Sequence, residues 1–282
     1  MNERASLKPS KWGDLAVRCA SAIVLIPAVL LFNWLGGIWF GLFILLVGCL
    51  MAYEWTRIVH PGNTLQYVAH TAAALLGAFV PELFGVWAAG SAILALAVVS
   101  GLMMRFGNIP SSKWSYFGVC YVGFACIAFV TLRNDPQYGM LALLWIFLIV
   151  WAADTLAYFA GRIIGGPKLA PAVSPKKTWA GLGGAIVGSA LASGLFAHFA
   201  NLNGLAELAL LAGLLAIVEQ AGDLFESALK RFYGVKDSSR LIPGHGGVID
   251  RVDGLVAVAI AAALIGFFRL HGASPAQGLL LW

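Results

Sequence analysis

The sequence predicts an all-α fold: a polytopic transmembrane helical bundle of about nine spans, with the N-terminus cytoplasmic and the C-terminus outside. Three observations predict it. Of the 282 residues, 60% are hydrophobic and 11% charged, against roughly 45–50% and about 25% in soluble domains. Apolar stretches on the scale of the roughly 20 residues that cross a hydrocarbon core recur along nearly the whole chain. Lys and Arg are concentrated in alternate connections, as the excess of cations on the cytoplasmic side requires.

With Gly, Pro and charge as punctuation, the spans fall at 16–34, 37–53, 66–80, 84–104, 115–132, 139–161, 178–199, 204–228 and 254–270. The first run lacks a small-residue cleavage site and passes at once into a second, so it reads as a span rather than a signal peptide. Only Pro81-Glu82-Leu83 separates the third from the fourth, which read as two spans or one broken hairpin. The segment up to Arg18 has four Lys or Arg, and the loops after spans two, four, six and eight have one, two, four and five; the other face has Arg133 and Arg269. The net charge of +5 therefore suits a membrane face rich in anionic lipid and implies no nucleic-acid partner. Cys19, Cys49, Cys120 and Cys126 lie in apolar spans without metal-ligand spacing and read as packing residues. Glycines such as Gly181, Gly183, Gly184 and Gly188 read as points where helices approach closely.

Residues 1–135 are polar mainly at their ends and loops, whereas 136–282 carry acids within spans. Asp154 interrupts span six, and Glu219, Asp223 and Glu226 interrupt span eight. At roughly 2.5–3.5 kcal/mol per acid at a helix centre, the three in span eight oppose insertion by up to about 10 kcal/mol. They must face protein, water or a cation. At about 100° per residue, Glu219, Asp223, Glu226 and Lys230 fall within an arc of roughly 60° and form one polar stripe. At about 1.5 Å per residue, Glu219 and Asp154 reach similar depth, so Asp154, Glu219 and Glu226 are expected to line one polar cavity open to the cytoplasm. The bland alternative is a buried network that merely holds the bundle together.

The connection after span six carries Arg162, Lys168, Lys176 and Lys177. Ser174-Pro175 reads as a helix start, with Ser as N-cap and Pro as the first helical residue. Lys176, Lys177 and Thr178 are then expected in a first turn whose free amides attract a phosphate; the alternative is an ordinary basic anchor. The connection after span eight contains Pro243-Gly244-His245-Gly246-Gly247 and then Asp250-Arg251-Val252-Asp253. Its glycines permit positive φ that turns amides onto a phosphate. Asp250 and Asp253 lie on one side of the following helix start and, with Asp223, form a candidate set for a hard cation such as Mg²⁺. His245 reads either as a phosphate donor or as a turn residue. His60, His70, His198 and His271 read as interface or loop residues, and no His cluster has zinc-ligand spacing.

From Ser227 to Asp253 the chain reads SALKRFYGVKDSSRLIPGHGGVIDRVD, which closely resembles the signature of the phosphatidate cytidylyltransferases, also called CDP-diacylglycerol synthases. Ser227, Leu229, Lys230, Arg231, Lys236, Asp237, Pro243, His245, Gly246, Gly247, Asp250, Arg251 and Asp253 stand where that pattern expects them. Trp151 to Gly161, Ser174 to Thr178, and Gly222-Asp223 before Glu226-Ser227 are also similar, so the resemblance covers about residues 140 to 255. One position departs: Ala180 stands where the family commonly has Glu, and it can neither ligate nor act as a base.

The resemblance implies that CTP and phosphatidate from the cytoplasmic leaflet give CDP-diacylglycerol and pyrophosphate, with Mg²⁺ and a second cation such as K⁺ as cofactors. It implies a bacterial cytoplasmic (inner) membrane protein, and a homodimer. The expected catalytic group is Asp223, Ser227, Lys230, His245, Asp250, Arg251 and Asp253, with Asp223, Asp250 and Asp253 on the metal. Ser174, Lys176, Lys177, Thr178, Arg231, Lys236, Gly246 and Gly247 are expected on substrate phosphates. Residues 1–135 would then serve packing or an oligomer interface, and 136–282 would form the catalytic region with cytoplasmic loops 162–178 and 229–253. The alternatives are another lipid-phosphate enzyme such as a CTP-dependent polyprenol kinase, a cation-coupled transporter, or a non-enzymatic scaffold.

Overall fold

The computed structural model describes residues 11–107, 112–269 and 274–282, with side chains described from Ala20 onward. The cations up to Arg18, Cys19 and His271 lie outside the described side chains. The described chain forms ten helices and one two-stranded ribbon: α1 (Lys11–Leu35), α2 (Gly37–Val59), α3 (Thr64–Phe84), α4 (Val86–Phe106), α5 (Ser112–Arg133), α6 (Gly139–Ile163), β1 (Lys168–Ala170), β2 (Ser174–Thr178), α7 (Trp179–Phe199), α8 (Leu205–Phe232), α9 (Ile249–Arg269) and α10 (Pro275–Leu280).

Among the described residues, eight helices, α2 to α9, are long and apolar enough to cross a membrane, and Ala20–Leu35 of α1 is a shorter apolar segment. The chain is a helical integral membrane protein. Its outer surface supports this: Phe84, Trp87, Phe106, Ile163 and Phe199 are 74–80% exposed, an apolar coat that suits lipid and would be a liability in water. The interior is small and dense. Helix α5 packs against α2, α3, α4, α6 and α9, and Trp55 and Trp145 are fully buried in the core they share.

Local chemistry explains three departures from the expected elements. Helices α3 and α4 are separate, but the break falls at Gly85 (φ +87°) and Pro81 lies inside α3, because glycine alone adopts that φ without strain. Residues 174–178 do not open a helix. They form β2, paired antiparallel with β1 through Lys168↔Thr178 and Ala170↔Ser174, and the helix opens one residue later with Thr178 as N-cap, its Oγ1 accepting from the Gly181 amide at 3.0 Å. Helices α2, α8 and α9 also run past the expected boundaries, which places Glu54 on a helix rather than in a loop and Lys230 and Asp250 within helices.

Candidate active site

Helices α6, α8 and α9 bring their acids toward the end of the bundle that carries the β1–β2 ribbon and the α8–α9 connection. One carboxylate oxygen from each of Asp223, Glu226 and Asp253 lies within 4.8 Å of the others. Asp223 and Glu226 are nearly one turn apart on α8, and Asp253 enters from the second turn of α9. The close α8–α9 crossing depends on Gly222, where a Cβ would meet the Asp253 carbonyl at 3.0 Å and Ala257 Cβ at 2.7 Å. Ser227 donates to Asp223 Oδ1 at 3.2 Å, and Lys177 Nζ lies 2.7 Å from Asp223 Oδ2. The ribbon therefore delivers Lys177 to the acids, as an ion pair rather than in the first turn of a helix.

Lys230 is held between two acids, 2.7 Å from Glu226 Oε2 and 2.7 Å from Asp250 Oδ1. Its charge is committed to protein carboxylates, not left free for a substrate phosphate. Asp250 is committed as well: Oδ2 accepts from the amides of Gly247 at 2.8 Å and Ser238 at 3.0 Å. It borders the acidic group across Lys230, and Glu226 occupies the place expected for it among the three acids. A first-turn aspartate is drawn back to the free amides at its own helix start, whereas Glu226, one helix away, projects toward Asp253.

The glycine turn also differs from expectation. Gly244 (φ +73°) and Gly246 (φ +86°) do adopt the left-handed region, but Gly247 does not, and the amides expected to grip phosphate are satisfied internally. His245 and Gly246 donate to the Ile242 carbonyl at 3.0 and 3.1 Å, Gly247 to Asp250, and Val248 and Ile249 to Glu54 at 2.8 and 2.7 Å. A helix N-terminus attracts an anion, and here protein carboxylates fill that role. Gly246 and Gly247 thus shape the loop instead of cradling phosphate. Arg251 donates from Nε to the His245 carbonyl at 2.9 Å, and His245 Nδ1 lies 2.7 Å from Ser21 Oγ on α1. Lys176, Arg231, Lys236 and Arg251 are exposed, and Ser174 is half-buried.

Deeper along α8, Glu219 is buried and accepts from Gln220 Nε2 at 2.7 Å. Asp154 on α6 is exposed and lies near enough to Glu219 for their charges to interact. Asp154, Glu219, Asp223, Glu226, Asp250 and Asp253 bring six carboxyls together, against Lys177 and Lys230 within the group and Arg251 at its edge. Among the described residues, Glu226 Oε1 is buried without a hydrogen-bond partner. Hard oxygen donors in excess of their counter-charges, one of them orphaned, fit a cation such as Mg²⁺. Glu54 on α2 is the site-facing residue that the sequence reading missed; its only signal was an acid one residue past the expected end of span two.

The comparisons with known proteins place the chain in a family. The model of the cytidylyltransferase family matches residues 16–268. A phosphatidate cytidylyltransferase of Brucella abortus biovar 1 (strain 9-941) is 41% identical over 274 residues, covering 93% of this chain and 96% of the relative. Those of Haemophilus influenzae (36% over 290 residues; 91% and 100%) and Staphylococcus haemolyticus (31% over 256 residues; 86% and 96%) are also similar along most of their length. With one family model spanning nearly all the helices and relatives matching almost end to end, the chain belongs to the cytidylyltransferase family.

Proposed function

We infer that the chain transfers the cytidylyl group of CTP to phosphatidate, giving CDP-diacylglycerol and pyrophosphate. The observation that carries this is the acidic group of Asp223, Glu226 and Asp253 beside Lys177, at one end of a membrane bundle whose relatives are named phosphatidate cytidylyltransferases. An oxygen of the lipid phosphate bonds to the α-phosphorus of CTP, the bond from that phosphorus to the α,β-bridging oxygen breaks, and pyrophosphate leaves. Such transfer relies on positioning and electrostatics rather than on a covalent enzyme intermediate.

Asp223, Glu226 and Asp253 would hold Mg²⁺, which when bound offsets the negative charge of the reacting phosphates. A second, monovalent cation such as K⁺ would be held by the adjoining Asp154 and Glu219. Lys177 balances Asp223 and, at the mouth of the group, attracts an entering phosphate. Lys176, Lys236 and Arg251 supply the surrounding positive field for the triphosphate. Lys230 pairs with Glu226 and Asp250 and holds them in place, and Ser227 orients Asp223. The site faces the cytoplasm of a bacterial inner membrane, where CTP arrives from water and phosphatidate from the adjacent leaflet. The polyprenol kinase and transporter alternatives are not favoured by relatives of this kind.

Purified protein in detergent, given phosphatidate, labelled CTP and Mg²⁺, should form labelled CDP-diacylglycerol, and a folded Asp253→Asn variant should form almost none. Full product from Asp253→Asn would remove that carboxylate from the reaction. No product from folded wild type would overturn the inferred activity.

A further inference from the structure

Glu54 lies on α2, in the N-terminal half of the chain, and its residue is wholly buried. Its carboxylate accepts four hydrogen bonds in two matched pairs. Oε1 takes the Val248 amide at 2.8 Å and the Ser239 hydroxyl at 2.5 Å. Oε2 takes the Ile249 amide at 2.7 Å and the Ser238 hydroxyl at 3.0 Å. A buried carboxylate is tolerated only when so satisfied, and apolar packing of similar volume would hold α2 against α9 at least as well. Cohesion alone therefore does not explain it.

The donors do. All four come from the α8–α9 connection and the first turn of α9, which carry Asp250. Ser238 links the two carboxylates directly, its hydroxyl on Glu54 and its amide on Asp250. Asp250 in turn holds Lys230, and Lys230 holds Glu226. The clamp is tight: a Cβ at Gly247 would overlap Ser238 Oγ and sit 2.5 Å from Glu54 Oε1.

We propose that Glu54 is a positioning residue for cytidylyl transfer, clamping residues 238–249 so that Asp250 and Lys230 hold Glu226 in the acidic group. This rests on the inferred transfer reaction. Glu54 touches no substrate and acts through Ser238 and Asp250. Its negative charge and its two equivalent oxygens are both required. Each oxygen faces one main-chain N–H that cannot be turned around, so the amide of a glutamine, in either orientation, sets its NH₂ against a backbone donor.

The test uses full-length protein in detergent, comparing wild type, Glu54→Gln and Glu54→Asp by amide hydrogen exchange and by steady-state kinetics. In Glu54→Gln, exchange in residues 238–249 should quicken at least tenfold while α4 and α6 keep wild-type protection. The value of kcat/KM for CTP should fall about 10–100-fold, the usual effect of losing a group that orients the residues around a metal, with KM for phosphatidate within about threefold. Glu54→Asp, which keeps the charge and both acceptors, should recover part of each loss. Unchanged exchange in 238–249, or faster exchange with unchanged CTP kinetics, would overturn the proposal. So would a loss spread evenly over the whole bundle. If Glu54→Gln does not fold, Ser239→Ala removes one of the four donors and is read against the same outcomes. Hydrogen exchange reports on the clamp whether or not the wild type makes CDP-diacylglycerol, so failure of the inferred reaction and failure of the clamp are distinguishable.

Discussion

Lys230 carries one positive charge and meets two buried carboxylates, so removing it leaves both Glu226 and Asp250 uncompensated. Breaking a buried ion pair from one side costs about 3–5 kcal/mol. Lys230→Met should therefore lower thermal stability clearly in detergent and abolish product formation together. Asp250→Asn should behave differently, since an amide oxygen can still accept from Ser238 or Gly247 while the charge facing Lys230 is lost. It should fold, and the Mg²⁺ concentration giving half-maximal activity should rise about 10–100-fold; a titration of activity against Mg²⁺ checks it. The candidate acids on α8 were legible residue by residue, because a carboxylate inside a span is costly enough to demand a partner. Their division of labour was not. Spacing places Asp250 and Asp253 on one side of a helix start, but it does not say that Asp250 turns back to its own amides while Glu226 reaches across from α8. Spacing does pair Lys230 with Glu226 one turn earlier on α8, but it does not reveal Asp250 as a second partner, because that acid lies on α9.

Helix pairing shows the same division one level up. Along α7, Gly181, Gly184 and Gly188 face α6, whereas Gly183 faces open space. A Cβ at Gly184 would stand 2.5 Å from Ala160 Cβ and 2.6 Å from the Leu156 carbonyl, and backbone cannot yield cheaply. Gly184→Ala should destabilise the α6–α7 pair by about 1–3 kcal/mol, the usual cost of overpacking. Gly183→Ala meets nothing and should be neutral or gain up to about 1 kcal/mol of helix propensity. Thermal unfolding of the two variants in one detergent checks both signs. The close-approach stripe was readable from sequence because small residues recur on one helix face, but Gly183, expected in it, lies outside it. The β1–β2 ribbon was not: Ser174-Pro175 carries the chemistry of a helix start, but the strand pairing of Ala170 with Ser174 overrides it, and Thr178 takes the capping role. Glu54 was missed for an element-level reason too, since α2 continues one and a half turns beyond Tyr53 and carries that acid inward with it.

At the scale of the molecule, the spans and their order follow from hydropathy, while the ties between the two halves of the chain do not, because they join residues more than a hundred positions apart. Glu54 makes one such tie at the end with the acidic group. Asp135, in the α5–α6 turn, makes another at the opposite end. It accepts from the amides of Gln137 at 2.9 Å and Tyr138 at 2.5 Å, and from Ser274 Oγ at 2.6 Å and Gln277 Nε2 at 2.7 Å beside α10. Arg269 closes the same clasp on the carbonyls of Gly278 and Leu281, with its guanidinium 3.6 Å from the Trp282 ring centroid. Burial alone would raise the pKa of Asp135, but the four hydrogen bonds outweigh it and hold the carboxyl below its ordinary value. The sign of the linkage follows. An unfolded aspartate binds a proton near pH 4, and the folded one only at lower pH. The stabilisation by Asp135 is therefore complete above about pH 4 and is lost as pH falls through the lower folded value. Asp135→Asn should be less stable than wild type at pH 7 by about 1–3 kcal/mol, the worth of hydrogen bonds to a charged group. The gap between the two unfolding temperatures should hold from pH 7 to about pH 5 and narrow below pH 4. A gap that stayed constant into acid would show that the clasp depends on the shape of this side chain and not on its charge.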